Sequence, residues 1–411
     1  MLAGLLDRWV ESSLERQLEP AVARLQTLGL PLRLLLWDGR VFECARGARI
    51  TLKLNSPVAL RDFIAPSLGS LGEAFVEGRI DVQGPIHEVI SVADSIADAH
   101  GASAAARAAL KLTEHQRGKD AAAISYHYDV SNAFYKLWLD ERMVYSCAYF
   151  KNGSEDIHLA QQQKLDHICR KLQLRAGERL LDIGCGWGGL VIHAARQYGV
   201  HAHGITLSKA QHDEACARVA AAGLQERVQI ELRDYRDLAG EGIYDKISSV
   251  GMFEHVGLKN LPQYFAVIQR LLKERGLALN HGITSMDVNN RAVGGGGGDF
   301  IEKYVFPGGE LPHIALVMRE MSAQMLEIAD VESLRIHYAK TLSHWSGALE
   351  SRLALAQQLV PAKTLRIWRA YLAGCAYAFE RGWINLYQVL ASKQTKPGPT
   401  ALPLTREYMY R

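Results

Sequence analysis

The stretch Leu181-Asp182-Ile183-Gly184-Cys185-Gly186-Trp187-Gly188-Gly189 constrains the fold of this chain more than any other. An apolar run enters a glycine-rich turn, and Gly189 to Tyr198 then reads as a helix. Glycine is the residue that lets a backbone pass close to a bound ligand at such a turn. In open α/β sheets, ligands sit outside the carboxyl ends of the strands. The surrounding pattern fits that setting. Strands are expected at Arg179–Ile183, Val200–Ile205, Val228–Leu232, Lys246–Val250 and Leu277–His281. Helices are expected between them at Lys209–Ala222 and Leu261–Leu272, and Ser154 is a plausible N-cap for a helix ahead of the first strand. This alternation predicts an α/β fold with a doubly wound, mostly parallel sheet.

At 411 residues the chain suits a small and a large domain. The first 115 residues read as a mixed α+β domain. A helix is expected over Leu5–Leu28, and Asp38-Gly39 between Leu32–Trp37 and Arg40–Cys44 is a hairpin signal. Ile50–Leu54 alternates as a half-buried strand, and helices follow near Ala59–Ile64 and Ile86–Ala99. Residues 116–395 form the expected catalytic domain and 396–411 a tail. Within it, the aromatic-rich stretch Leu365–Leu390 reads as core at helical spacing. The run Gly294–Gly298 is either a flexible insertion or the hinge of a lid, since glycine loses the most backbone entropy on ordering.

Composition narrows the class. The formal net charge is only +3, which does not suit a nucleic-acid binder. No run of about 18 apolar residues occurs, so contact with lipid would come from the side. The cysteines at 44, 147, 169, 185, 216 and 375 form no Cys-x-x-Cys pair and follow no secretory signal. They read as reduced thiols of a cytoplasmic protein. The histidines show no metal-ligand spacing.

The glycine turn alone is ambiguous, because Gly184, Gly186 and Gly189 also satisfy a dinucleotide fingerprint. That fingerprint needs an acid about 20 positions on, yet the second strand ends Gly204-Ile205-Thr206. Many S-adenosylmethionine enzymes also place an acid there, so its absence departs from both patterns. The next strand end, Arg233-Asp234-Tyr235-Arg236-Asp237-Leu238, resembles the adenine-contacting segment of methyltransferases. It favours S-adenosylmethionine over a nicotinamide.

Further motifs flank this core. They are Ile124–Asn132, Tyr145–Phe150, Gly251-Met252-Phe253-Glu254-His255-Val256-Gly257, Phe300–Gly309 and His337–Leu342. In this order and spacing, from about residue 120 to about 390, they resemble the cyclopropane-fatty-acyl-phospholipid synthases and mycolic acid cyclopropane synthases. Gly69–Ala74 extends a weaker likeness into the first domain. The resemblance implies a Rossmann-like class I methyltransferase domain. It implies transfer of a methyl group to a cis double bond of a phospholipid acyl chain, with bound bicarbonate as base. Glu254, Tyr338, His281, Ile283 and the backbone of Cys147 would hold that anion. Tyr128, Tyr145, Ser146, Asp182, Gly184, Gly186, Gly188, Thr206, Leu207, Gln211, Asp234, Tyr235 and Arg236 would hold S-adenosylmethionine. It further implies a homodimer formed through the first domain, peripheral to the inner face of the membrane.

An alkene is a poor nucleophile, so such a site must align it closely with the sulfonium and exclude water. Aromatic faces stabilise a nearby cation, and Tyr145, Tyr149, Phe150, Tyr304 and Phe306 are candidates. Blander readings stand beside these. Cys147 suits a buried small hydrophobe, Tyr338 core packing with a satisfied hydroxyl, and His281 a structural histidine. His127 and Asp129 suit turn and cap positions. Rival functions are methylation of the same double bond without ring closure, methylation of a soluble metabolite, and lipid binding without catalysis.

Overall fold

The computed structural model describes residues 18–63, 66–99, 130–290, 297–306, 309–396, 398–400 and 402–410. The chain divides into two compact units. The first comprises Met1–Ala109, Val293–Val305 and Leu353–Tyr377, and the second the remainder. The sequence suggested one cut near residue 115, which itself lies outside the described residues. Two later stretches group instead with the N-terminal residues, and side-chain contacts explain why. Arg366 donates to the carbonyls of Phe75 and Ile80 and pairs with Asp81. Ala370 and Ala373 join that core, and the Tyr377 hydroxyl donates to Asp94 over 2.6 Å.

The first unit holds a four-stranded sheet of β1 (Leu32–Leu35), β2 (Val41–Glu43), β3 (Ile50–Leu54) and β4 (Ile80–Gln83), ordered β2-β1-β3-β4. The expected hairpin is present: β1 and β2 pair antiparallel, and Gly39 takes φ +90° at the turn. β3 alternates between buried and half-buried residues, as its sequence predicts. Residues 18–27, Leu68–Val76 and Ile86–Asp98 are helical. The helix expected near Ala59 is a 3-10 segment, Pro57–Phe63. Gly297 and Gly298 open the helix Gly297–Tyr304; the rest of the glycine run lies outside the described residues.

The second unit is built on a seven-stranded sheet. Its strands are β5 (Arg179–Ile183), β6 (His201–Thr206), β7 (Val228–Leu232), β8 (Tyr244–Val250), β9 (Leu272–Ser285), β10 (Leu326–Ser333) and β11 (Ile384–Lys393). The order is β10-β11-β9-β8-β5-β6-β7. The run β9-β8-β5-β6-β7 is parallel, and β11 pairs antiparallel with both β9 and β10. Alternate residues of β5 enter opposite cores. Leu181 and Ile183 pack with the helix Leu261–Leu271, and Leu180 with Leu165, Ile168 and Val191.

Two local expectations are corrected here. Leu365–Leu390 is not one helical stretch. The helix Ala362–Arg381 stops where Gly382 takes φ +73°, and β11 follows, flanked on both sides. A strand buried along nearly its whole length lacks the alternation that would mark it and mimics a buried helix in sequence. The cap of the helix Ile157–Lys171 is Asp156 rather than Ser154, its side chain accepting from Leu159 N. Among the described residues no helix is long and apolar enough to cross a membrane.

Candidate active site

The glycine turn leaves β5 and enters the helix Gly189–Tyr198 with Gly184, Gly186 and Gly188 at φ +82°, +55° and +79°. Those values favour glycine. Gly184 and Cys185 donate their N–H groups to Ile205 O, which pins the turn to β6. Gly189 has a steric reason to lack a side chain. A Cβ there would meet Val144 Cγ2 at 2.9 Å and Arg142 O at 3.1 Å. The loop Arg142–Val144 therefore lies directly on the helix start. Asp140 shapes that loop by accepting from Val144 N and Arg142 N.

A cleft opens at the carboxyl ends of β5, β6, β7 and β8. Tyr145, Ser146, Asp182, Gly184, Gly186, Thr206, Leu207, Gln211 and Tyr235 all line it. Tyr128, the remaining tyrosine expected there, lies outside the described residues, as do His127 and Asp129. Three expected contacts are not among the residues lining the cleft. Gly188 backs onto Ala215 and Ile192 as the N-cap of the helix, and Asp234 and Arg236 pair with each other at 2.6 Å on either side of Tyr235. The neighbouring Arg233 lines the cleft in their place. At the β6 end, where an acid is often found, Thr206 donates to Gln211 Oε1 over 2.9 Å. The buried Asp182 accepts from Ser248, and burial pushes its carboxyl up to about 6.

None of the catalytic candidates is itself among the residues lining this cleft; Glu254 and Cys147 neighbour lining residues in the chain. Gly251, Met252 and His255 line it and bracket Glu254, which sits in the 3-10 turn Phe253–His255 beyond β8. Ile283 donates its backbone N–H to Glu254 Oε1 over 2.7 Å. Burial raises the Glu254 carboxyl to about 7, against the lowering effect of that bond. Its Oε2 is buried without a partner among the described residues. His281 lies within β9, which runs on to Ser285, and directly opposes Gln388 of β11. The Gln388 amide nitrogen is 3.1 Å from His281 Nδ1. An amide NH₂ only donates, so Nδ1 accepts and the ring proton sits on Nε2. Burial holds this imidazole neutral, and Nε2 too lacks a partner among the described residues.

The loop that carries Cys147 and the helix that carries Tyr338 are joined by two hydrogen bonds. Ala148 N donates to Thr341 Oγ1, and Phe150 N to His337 Nδ1, both on the helix Arg335–Glu350 that carries Tyr338. Burial raises the Cys147 thiol far above its ordinary value, so its side chain is no nucleophile. The aromatic candidates separate. Tyr145 lines the cleft and packs on Trp138 and Trp345, and Trp345 also meets Tyr338 edge-on at 6.2 Å. Tyr149 and Phe150 instead stack on His167, His337 and His344. Tyr304 belongs to the first unit, where its hydroxyl donates to Glu77. Phe306 packs on His255 at 5.4 Å.

Sequence reasoning missed Lys164, Trp345 and Gln388. Trp345 follows Tyr338 by two helical turns, a spacing that was available to the eye. Lys164 sits among polar residues on an ordinary-looking helix, and nothing in the sequence singles it out.

The family model for mycolic acid cyclopropane synthetase matches residues 115–389, and one for a domain of unknown function matches 25–103. A probable fatty acid methyltransferase of Pseudomonas putida is 52% identical, over 96% of this chain and 99% of its own. Cyclopropane-fatty-acyl-phospholipid synthase of Escherichia coli K12 is 39% identical, over 66% of this chain and 68% of its own. Among solved structures, mycolic acid cyclopropane synthase CmaA1 complexed with SAH and CTAB superposes with a TM-score of 0.63 at 35% identity. That likeness covers 66% of this chain and 98% of the other.

Proposed function

Because the chain belongs to the mycolic acid cyclopropane synthetase family and has the class I S-adenosylmethionine methyltransferase fold, we propose that it cyclopropanates phospholipid acyl chains. The methyl carbon of S-adenosylmethionine bonds to one carbon of a cis double bond, and the sulfur leaves as S-adenosylhomocysteine. The cation left on the other carbon closes onto the transferred carbon as that carbon loses a proton. One oxygen of the buried Glu254 carboxyl tied down and the other without a partner among the described residues, beside the cleft, is the observation that carries this reading.

The donor set suits a small oxyanion. Glu254 with a carboxyl near 7 is partly protonated at neutral pH, and the neutral His281 keeps its proton on the partnerless Nε2. Both can donate toward an anion, with Tyr338 and the Cys147 backbone as further candidates; the Ile283 N–H is taken by Glu254. Bicarbonate, when bound there, supplies the base. The chain's own part is to align and to exclude water. Tyr145, backed by Trp138 and Trp345, presents an aromatic wall suited to a cation.

The likeness to a probable fatty acid methyltransferase over nearly its whole length supports a second reading, in which the same cation loses a proton without ring closure and leaves a methylene branch or a methyl-branched alkene. Unsaturated phospholipid vesicles with labelled S-adenosylmethionine and added bicarbonate test both. Ring protons in the product NMR spectrum support cyclopropanation, whereas vinylic signals favour the branch. We extend the proposal to a homodimer acting at the inner membrane face. Vesicle co-sedimentation and light scattering test that extension.

A further inference from the structure

Two lysines on the helix Ile157–Lys171 are fully buried, and the protein treats them differently. Lys171 Nζ is held by Glu332 at 2.6 Å and Asp330 at 3.2 Å. That is how a buried structural ammonium is ordinarily satisfied. Lys164 donates to Ser146 Oγ over 2.9 Å, and no carboxylate of the described residues lies within 4.0 Å of it. The acids that influence it, Asp140 and Asp182, are engaged elsewhere: Asp140 with the N–H groups of Val144 and Arg142, Asp182 with Ser248. Cys147 and Cys169, its other titratable neighbours, are thiols that burial keeps protonated. Lys164 and Ser146 both line the cleft beside Asp182 and Gly184.

We propose that Lys164, with the Ser146 hydroxyl it orients, forms the subsite for the α-carboxylate of the co-substrate's amino-acid tail. The inference rests on the S-adenosylmethionine reading and deepens it. Sheet order supports the direction. Thr206, Gln211 and Tyr235 line the cleft at the ends of β6 and β7, where a nucleoside would lie. Lys164 belongs to the helix whose Leu165 and Ile168 pack against β5, toward the other end of the ligand. An ammonium left without a carboxylate in a dry wall is poorly satisfied until an anion arrives. S-adenosylmethionine and S-adenosylhomocysteine each bring one carboxylate.

Calorimetry on the full-length protein tests this with two probes. One is S-adenosylhomocysteine; the other is 5′-methylthioadenosine, the same nucleoside thioether without the amino-acid tail. Lys164→Met is expected to weaken S-adenosylhomocysteine by about tenfold or more, the scale of a lost charged hydrogen bond, and to leave 5′-methylthioadenosine within about twofold. Parallel loss of both probes would assign Lys164 to the fold, and unchanged affinity for both would remove it from the site. Either result overturns the proposal. A wild-type protein that binds neither probe would instead overturn the co-substrate reading beneath it.

Discussion

Ile283 N donates to Glu254 Oε1 over 2.7 Å, which leaves Oε2 as the free end of a carboxyl that burial has raised to about 7. Glu254→Gln keeps the acceptor for Ile283 and removes the titrating proton. Turnover is expected to fall by about 10²-fold or more, the usual scale for a lost acid–base group. S-adenosylhomocysteine affinity should change little. Wild-type rates with labelled co-substrate would take Glu254 out of the mechanism.

The same carboxyl predicts a pH dependence of stability. Its folded value, about 7, lies above the ordinary 4.5, so the folded state holds the proton more tightly. The contribution is fully present below 4.5 and is lost as pH rises through 7. Glu254→Gln does not titrate. Its stability relative to wild type should therefore improve from pH 5 to pH 8, by on the order of 3 kcal/mol. Urea midpoints at the two pH values read this directly.

Gly282 lies under the ring of Phe253, and a Cβ there would fall 2.2 Å from Phe253 Cε1. Gly282→Ala must displace that ring and, with it, the turn carrying Glu254. A fall in kcat larger than any change in S-adenosylhomocysteine affinity is expected. Phe253→Leu in the same chain should restore part of the rate. If the double variant is no better than Gly282→Ala, the ring is not the obstacle.

Gly189→Ala presses on the other wall of the cleft, since its Cβ would meet Val144 and the Arg142 carbonyl. Overpacking of this kind costs about 1–3 kcal/mol. A lower melting temperature together with weaker S-adenosylhomocysteine binding is the expected pair of results. An unchanged binding constant would mean that the loop Arg142–Val144 does not shape the cleft.

Glu332 binds Lys171 and His167, which hold its carboxyl down to about 2. A depressed acid contributes stability above its ordinary value of 4.5 and loses it as pH falls toward 2. Glu332→Gln leaves a buried ammonium short of one partner, so a loss of about 3–5 kcal/mol is expected at pH 7. Below about pH 2 the two proteins should converge. A constant difference across that range would mean that the pair does not titrate as described.

The parallel strands, the glycine turn and the strand-end motifs were legible because each is local: a period of two, a glycine triplet, a short string of residue types. β11 was not. Its residues Ile384–Lys393 are buried almost throughout, so they carry no alternation, and of the two glycines in the stretch the helix runs through Gly374 and stops at Gly382. The ion pair between Asp234 and Arg236 is a tertiary detail that the string of residue types does not announce.

What the sequence alone determined is the chemistry available at the carboxyl ends of β5 to β8, because side-chain type and strand position fix which groups reach that rim. The fold decided how those groups are satisfied. Whether a buried lysine meets a carboxylate, as Lys171 does on the distant strand β10, or a hydroxyl in a cleft wall, as Lys164 does, depends on what the fold packs against it. The grouping of Leu353–Tyr377 with the N-terminal residues depends likewise on long-range packing. Desolvation, which moves Glu254 and Lys164 toward neutral pH, is a property of the assembled interior and has no counterpart in an extended chain.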